Sequence, residues 1–151
     1  MKMHAAFALA ATLALSLPAT LPAHAAGEIM TVWKSPWCGC CEAWSDAMRA
    51  AGYEIVIENR EDLAPVKAKA GVPAAMEGCH TALVEGYFLE GHVPLSSVER
   101  LLANRPPIAG LAVPGMPSGS LGMGEDPSAR YDVHSVDRSG AIGIYERVAP
   151  R

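Results

Sequence analysis

An α/β domain with a mixed sheet flanked by helices is what the sequence predicts, and three observations predict it. A strand pattern at Glu28-Ile29-Met30-Thr31-Val32-Trp33 runs through a turn into a helical pattern and on to a second strand. Thr81 to Val84 and Tyr87 to Leu89 then flank Glu85-Gly86 as a β-hairpin would, and a short amphipathic helix follows. A strand, a helix and a strand in that order imply a parallel crossover. The hairpin adds an antiparallel pair, so the sheet is mixed, with helices on both faces.

Before this pattern stand Met1-Lys2-Met3-His4, an Ala/Leu-rich run from Ala5 to Leu17, and Pro22-Ala23-His24-Ala25-Ala26. A short charged start, an apolar core and an A-x-A site read as a secretory signal peptide over residues 1–26, cleaved after Ala25 or Ala26. The apolar run, broken by Pro18 and Pro22, is short for a spanning helix, which needs about 20 residues. Residues 27–151 are then expected to form one exported domain with no membrane span. Losing the leader removes one lysine and no acid, so the formal charge moves from −4 to −5, and no nucleic-acid surface is indicated.

Within that domain, apolar Ala43, Trp44, Ala47, Met48 and Ala51 recur at helical spacing from Cys41 to Ala51, with Gly52 as the stop. The strand Tyr53–Ile57 follows, then a short helix from Asp62 to Ala70 ended by Gly71. After the hairpin, Ser96-Ser97-Val98-Glu99 reads as a capping box opening a helix through Ala103, with Val98, Leu101 and Leu102 on its buried side. This is the thioredoxin order. Residues 104–130 form a long Pro/Gly/Ser segment, and loops of such length are usually functional or disordered. Tyr131 to Val136 and Ala141 to Val148 alternate around Asp137-Arg138-Ser139-Gly140 as a terminal hairpin.

The chemistry lies in the cysteines, Cys38, Cys40, Cys41 and Cys79. An exported domain of this size buries about two-thirds of its unfolded surface and needs no disulfide to fold. Three thiols within four residues would close loops too small to constrain the chain much, which argues against purely structural bridges. They sit instead at a helix start, where unpaired N–H groups and the helix dipole favour thiolate, Cys38 most of all. Cys41 completes a C-x-x-C pair with it. In the thioredoxin order the segment before the third strand packs against this turn, so Glu77-Gly78-Cys79-His80 brings a fourth sulfur to the same place.

Tetrahedral zinc wants four donors, with sulfurs about 2.3 Å from one centre, and adjacent Cys40 and Cys41 point in different directions. Cu(I) takes soft thiolates and thioethers, and several bridged copper ions would satisfy sulfurs that cannot all face one atom. The predicted cofactor is therefore copper as Cu(I), in a polynuclear arrangement, on Cys38, Cys40, Cys41 and Cys79. Met116 and Met123 are candidate thioether ligands, with Met123 preferred. His80 is a further candidate, although alternation along a strand begun at residue 79 would turn it away from the sulfurs. His92 and His134 read as ordinary loop and strand histidines, Trp37 and Trp44 as shields over the turn, and Glu42 as a solvated first-turn glutamate.

Trp37-Cys38-Gly39-Cys40-Cys41, Gly78-Cys79-His80-Thr81, Gly91-His92-Val93-Pro94 and Pro114-Gly115-Met116-Pro117-Ser118-Gly119-Ser120 together resemble the CopG-like proteins of bacterial copper-resistance operons. The resemblance implies a periplasmic protein with a thioredoxin-like fold, a cysteine-held copper site and a role in copper handling. Where those proteins continue G-S-P-G-M-E, this chain has Gly119-Ser120-Leu121-Gly122-Met123-Gly124, without the proline and the acid. The main expectation is Cu(I) binding, with copper redox cycling. Two alternatives stand beside it: a thiol–disulfide oxidoreductase in which Cys38 attacks and Cys41 resolves while Cys40 and Cys79 pair, and a module delivering copper to periplasmic copper-handling partners that dock on residues 104–130.

Overall fold

The structure is a computed structural model and describes residues 27–150. The leader expected over residues 1–26 lies outside the described residues. The elements, in chain order, are β1 (Ile29–Lys34), α1 (Gly39–Ala50), β2 (Glu54–Asn59), α2 (Ala64–Ala70), a 3-10 turn at Ala74–Met76, β3 (His80–Val84), β4 (Tyr87–Gly91), α3 (Leu95–Asn104), β5 (Ile108–Val113), β6 (Tyr131–Asp137) and β7 (Ile142–Val148).

One seven-stranded sheet runs in the order β2-β1-β3-β4-β5-β6-β7. The β1/β2 pair is parallel, as the strand–helix–strand order requires, and the β3/β4 hairpin is antiparallel. Its two-residue turn places both Glu85 and Gly86 at positive φ, 48° and 82°, matching the right-handed twist of the strands it joins. The mixed sheet, the helices and the C-terminal hairpin β6/β7 agree with the predicted thioredoxin-like α/β class.

Alternation along the strands sorts the core into two faces. Met30, Val32, Ala82, Val84, Leu89, Leu111 and Val113 pack with Trp44 and Met48 of α1 and Val98, Leu101 and Leu102 of α3. Phe88, Ala112 and Val136 point the other way and meet Val72 and Met76, just beyond α2. Full burial of a side chain such as Met48 or Leu89 contributes about 1.5–3 kcal/mol. β4, covered on both faces, is buried throughout.

Two expectations need correction. α3 begins at Leu95 with Pro94 as its cap, because the Pro94 carbonyl already accepts from Ser97 N at 3.0 Å and Val98 N at 3.1 Å. Ser96 is thus inside the helix and cannot open a capping box; the Ser97 hydroxyl donates instead to Glu146 on β7 at 2.6 Å. Residues 104–130 are not one loop either, since Ile108–Val113 forms β5, parallel to β4. Gly110 and the flanking prolines mask this strand in the sequence. Gly110 lies across from Phe88, whose ring occupies the space where a side chain at 110 would stand.

Candidate metal centre

The centre is built where α1 starts, at the end of β1. Cys38 N donates to Ser35 O at 3.1 Å, which folds the chain into a tight turn and leaves Cys38 as the N-cap of α1. In that role the Cys38 sulfur accepts the backbone N–H of Cys41 at 3.3 Å, the free donor that a helix start offers. Cys38 and Cys41 are joined as a disulfide, with Cα atoms 5.3 Å apart. Cys40 and Cys79 are free thiols. The Cys40 sulfur lies 3.5 Å from that of Cys38.

Cys79 arrives from the other side, in a bend between Gly78 and β3. Gly78 is packed so closely on β4 that a Cβ there would stand 2.7 Å from the Gly91 Cα, so only glycine lets the bend approach. Gly78 also forms a parallel bridge with Gly115. The result is convergence: all four cysteine sulfurs lie within 4.8 Å of one another, close enough to hold a metal ion.

Two histidines complete the surroundings of Cys79: His80, a candidate ligand in the sequence, and His92, which the sequence read as an ordinary loop histidine. Because the strand starts at His80 rather than at Cys79, the alternation argument does not apply, and His80 Nδ1 comes within 3.6 Å of the Cys79 sulfur. The His80 ring packs on Trp44 with centroids 4.5 Å apart, and its Nε2 is buried without a hydrogen-bond partner. His92, just past β4, is fully buried and puts Nε2 2.9 Å from the Cys79 sulfur. Its Nδ1 lies 2.7 Å from the Leu121 carbonyl oxygen, which accepts only, so the proton sits on Nδ1 and the Nε2 lone pair faces Cys79. Cys79, His80 and His92 form a second group able to hold a metal, sharing Cys79 with the first. The sequence did carry a signal for His92: Gly91-His92-Val93-Pro94 is a stretch of the family resemblance.

The electrostatics keep this interior neutral while it is metal-free. Burial pushes the Cys79 thiol up to about 12, with neighbouring Cys40 adding to the effect. Burial pulls His80 down to about 3, helped by His92, Lys67 and Lys34, and burial likewise lowers His92. A cation held here would displace a thiol proton and supply the charge that stabilises the thiolate. At the rim, Glu42 pairs with Lys34 at 3.2 Å and with Arg49 at 3.3 Å, and Lys34 is the main cause of its lowered pKa.

The remaining candidates divide. Gly122 presses on α1 so closely that a Cβ would stand 2.6 Å from Cys40 O and 2.8 Å from Trp44 N, so the loop carrying half-buried Met123 packs on the first turn of the helix. Met116, one residue beyond the Gly115 bridge, is 58% exposed. Trp44 is buried and donates from Nε1 to Val93 O at 2.9 Å. Trp37 is 86% exposed and does not shield the turn: the chain reverses at Ser35 to Cys38 and points that ring outward.

Comparison with known proteins agrees with this arrangement. The family described as "Protein of unknown function, DUF411" matches residues 76–123, the stretch holding Cys79, His80 and His92. Two solved structures, "Copper resistance protein copG- Form 1" and "Form 2", are each 35% identical to this chain, with TM-scores of 0.75 and 0.76. The matches cover 82% and 81% of this chain and 98% of each of those chains. No curated protein matches. With that identity over nearly the whole length of those structures, and with the cysteine cluster in place, the chain belongs to the CopG copper-resistance family.

Proposed function

We propose that this is a periplasmic copper-resistance protein that holds Cu(I) on the thiolates of Cys38, Cys40, Cys41 and Cys79, exported by the leader at residues 1–26. The observation that carries the reading is the gathering of four sulfurs from two distant segments within 4.8 Å. Thiolate is the ligand Cu(I) prefers, and adjacent Cys40 and Cys41 favour several bridged ions over one tetrahedral centre. His92 Nε2 supplies an imidazole donor already aimed at Cys79, its ring held by the Leu121 carbonyl as an outer partner holds a metal-bound histidine. His80 Nδ1 and the thioethers of Met116 and Met123 are the further donors of this reading. The family relation and the cluster support copper; the Cu(I) state rests on the softness of the donors.

Anaerobic titration of the reduced chain with Cu(I) against a competing chelator is the test. Uptake that falls in stoichiometry or affinity when each cysteine becomes serine is expected. Uptake unaffected by the four substitutions ends the reading.

The Cys38–Cys41 disulfide favours a second, compatible reading. As a dithiol, this pair can give one electron to each of two Cu(II) ions, forming one S–S bond and two Cu(I) and releasing two protons. A dithiol reductant then reopens the bond: one of its thiols attacks the Cys38 sulfur and expels the Cys41 thiolate, and its second thiol displaces Cys38, leaving the reductant as a disulfide. Stoichiometric Cu(II) reduction by the metal-free dithiol, lost in Cys38→Ser, is the expected result; equal reduction by that variant contradicts it.

A further inference from the structure

On the α2 side of the sheet, behind the metal centre, a buried ion pair grips the peptide that leads into Cys79. Lys67 of α2 and Glu90 of β4 are both buried, Glu90 completely. Lys67 Nζ donates to Glu90 Oε1, to Gly78 O at 3.1 Å and to Thr81 Oγ1 at 3.3 Å, using its three hydrogens. Glu90 Oε1 also accepts Gly78 N–H at 2.7 Å, while Oε2 accepts the Thr81 hydroxyl at 2.6 Å. Both polar groups of Gly78 are therefore taken by the pair, one by each charge.

Such a pair is a poor way to gain stability alone, because desolvating two charges offsets most of their attraction and well-packed apolar residues do as well or better. What apolar residues would not do is hold the N–H and C=O of Gly78. That peptide needs holding: Cys79 lies outside β3, and Gly78, though packed against Gly91 of β4, makes an isolated backbone bridge to Gly115 rather than taking a place in a strand.

We infer that Lys67 and Glu90 are positioning residues for Cys79: from behind the sheet they fix the Gly78 peptide and so set where the Cys79 sulfur stands relative to the α1 cysteines and His92. The inference deepens the copper-site reading and rests on it for the purpose of the clamp, though not for the clamp itself.

The test joins amide exchange of the metal-free protein with chelator-competed Cu(I) affinity, in the Lys67→Met, Glu90→Leu double variant and in Glu90→Gln. The double variant replaces the pair with apolar side chains, and Glu90→Gln keeps a weaker, neutral acceptor in place should the double variant not fold. Expected are cooperative unfolding as in the unmodified chain, faster exchange at Gly78 and Cys79 while β1 and β4 amides keep their protection, and Cu(I) affinity about 10-fold lower, the lower end for outer partners of metal ligands. Unchanged Gly78 exchange and unchanged affinity in a folded variant make the pair a fold element only and overturn the inference. Because exchange is read without metal, failure of the unmodified chain to bind Cu(I) ends the copper reading separately.

Discussion

His92 Nε2 stands 2.9 Å from the sulfur of Cys79, and its other nitrogen is committed to the Leu121 carbonyl. One side chain thus ties three segments together: the end of β4, the bend before β3, and the loop that crosses α1. A ring so oriented acts on whatever occupies the sulfur site. His92→Ala is expected to lower Cu(I) affinity by roughly 10-fold or more while the cysteine-dependent uptake persists. Chelator competition measures this, and equal affinities would reduce His92 to packing.

Free-thiol counting reads the cysteine pairing directly. With Cys38 and Cys41 bonded and Cys40 and Cys79 free, the oxidised metal-free chain presents two thiols on denaturation. Full reduction should raise this to four, the number of cysteines in the chain. A count of zero before reduction would mean that Cys40 and Cys79 also pair, as the oxidoreductase alternative supposes.

Cu(I) affinity should rise with pH. Cys79 keeps its proton throughout the neutral range because its thiol is pushed up to about 12, so binding there displaces a proton. Each displaced proton makes apparent affinity climb about tenfold per pH unit. The slope between neutral and mildly alkaline pH should be shallower in Cys79→Ser, and an identical slope would remove Cys79 from the proton balance.

Stability of the metal-free protein should fall in acid, in part through His80. Its pKa in the folded chain is about 3, below the ordinary 6.5, so the unfolded chain binds the proton more readily between those values. The His80 contribution is therefore fully present above the ordinary value and is lost as pH falls from there towards about 3. Urea unfolding at neutral pH and at mildly acid pH should show a smaller acid loss in His80→Gln than in the unmodified chain. An equal loss would contradict the assignment.

Gly122 joins the loop to the helix carrying the cysteines. At φ +86°, with Cys40 O and Trp44 N where a Cβ would stand, Gly122→Ala is both strained and crowded. A loss of about 1–3 kcal/mol in denaturant unfolding is expected, together with weaker Cu(I) binding. Unaltered stability would mean that the loop does not rest on α1.

What could be read in the sequence followed from local chemistry. The helix start after Trp37-Cys38, the parallel crossover and the Glu85-Gly86 turn are written in short-range patterns, so the thioredoxin-like order was legible. The approach of Cys79 to the α1 cysteines was legible too, since it follows from that order. β5 was not, because Gly110 and its flanking prolines look like loop until Phe88 is seen to fill the gap. His92 and the Lys67–Glu90 pair were hidden for a related reason. Their roles depend on partners 11 to 29 positions away along the chain; apart from the family-like stretch around His92, their own neighbourhoods read as a loop histidine and two charges.

The central claim is that sulfur from both segments binds the same copper. X-ray absorption at the copper edge of the reduced, Cu(I)-loaded chain tests it most directly. The account predicts a sulfur-dominated first shell that loses sulfur in Cys79→Ser and in Cys40→Ser alike. A shell of nitrogen and oxygen alone, or one unchanged by Cys79→Ser, would contradict it.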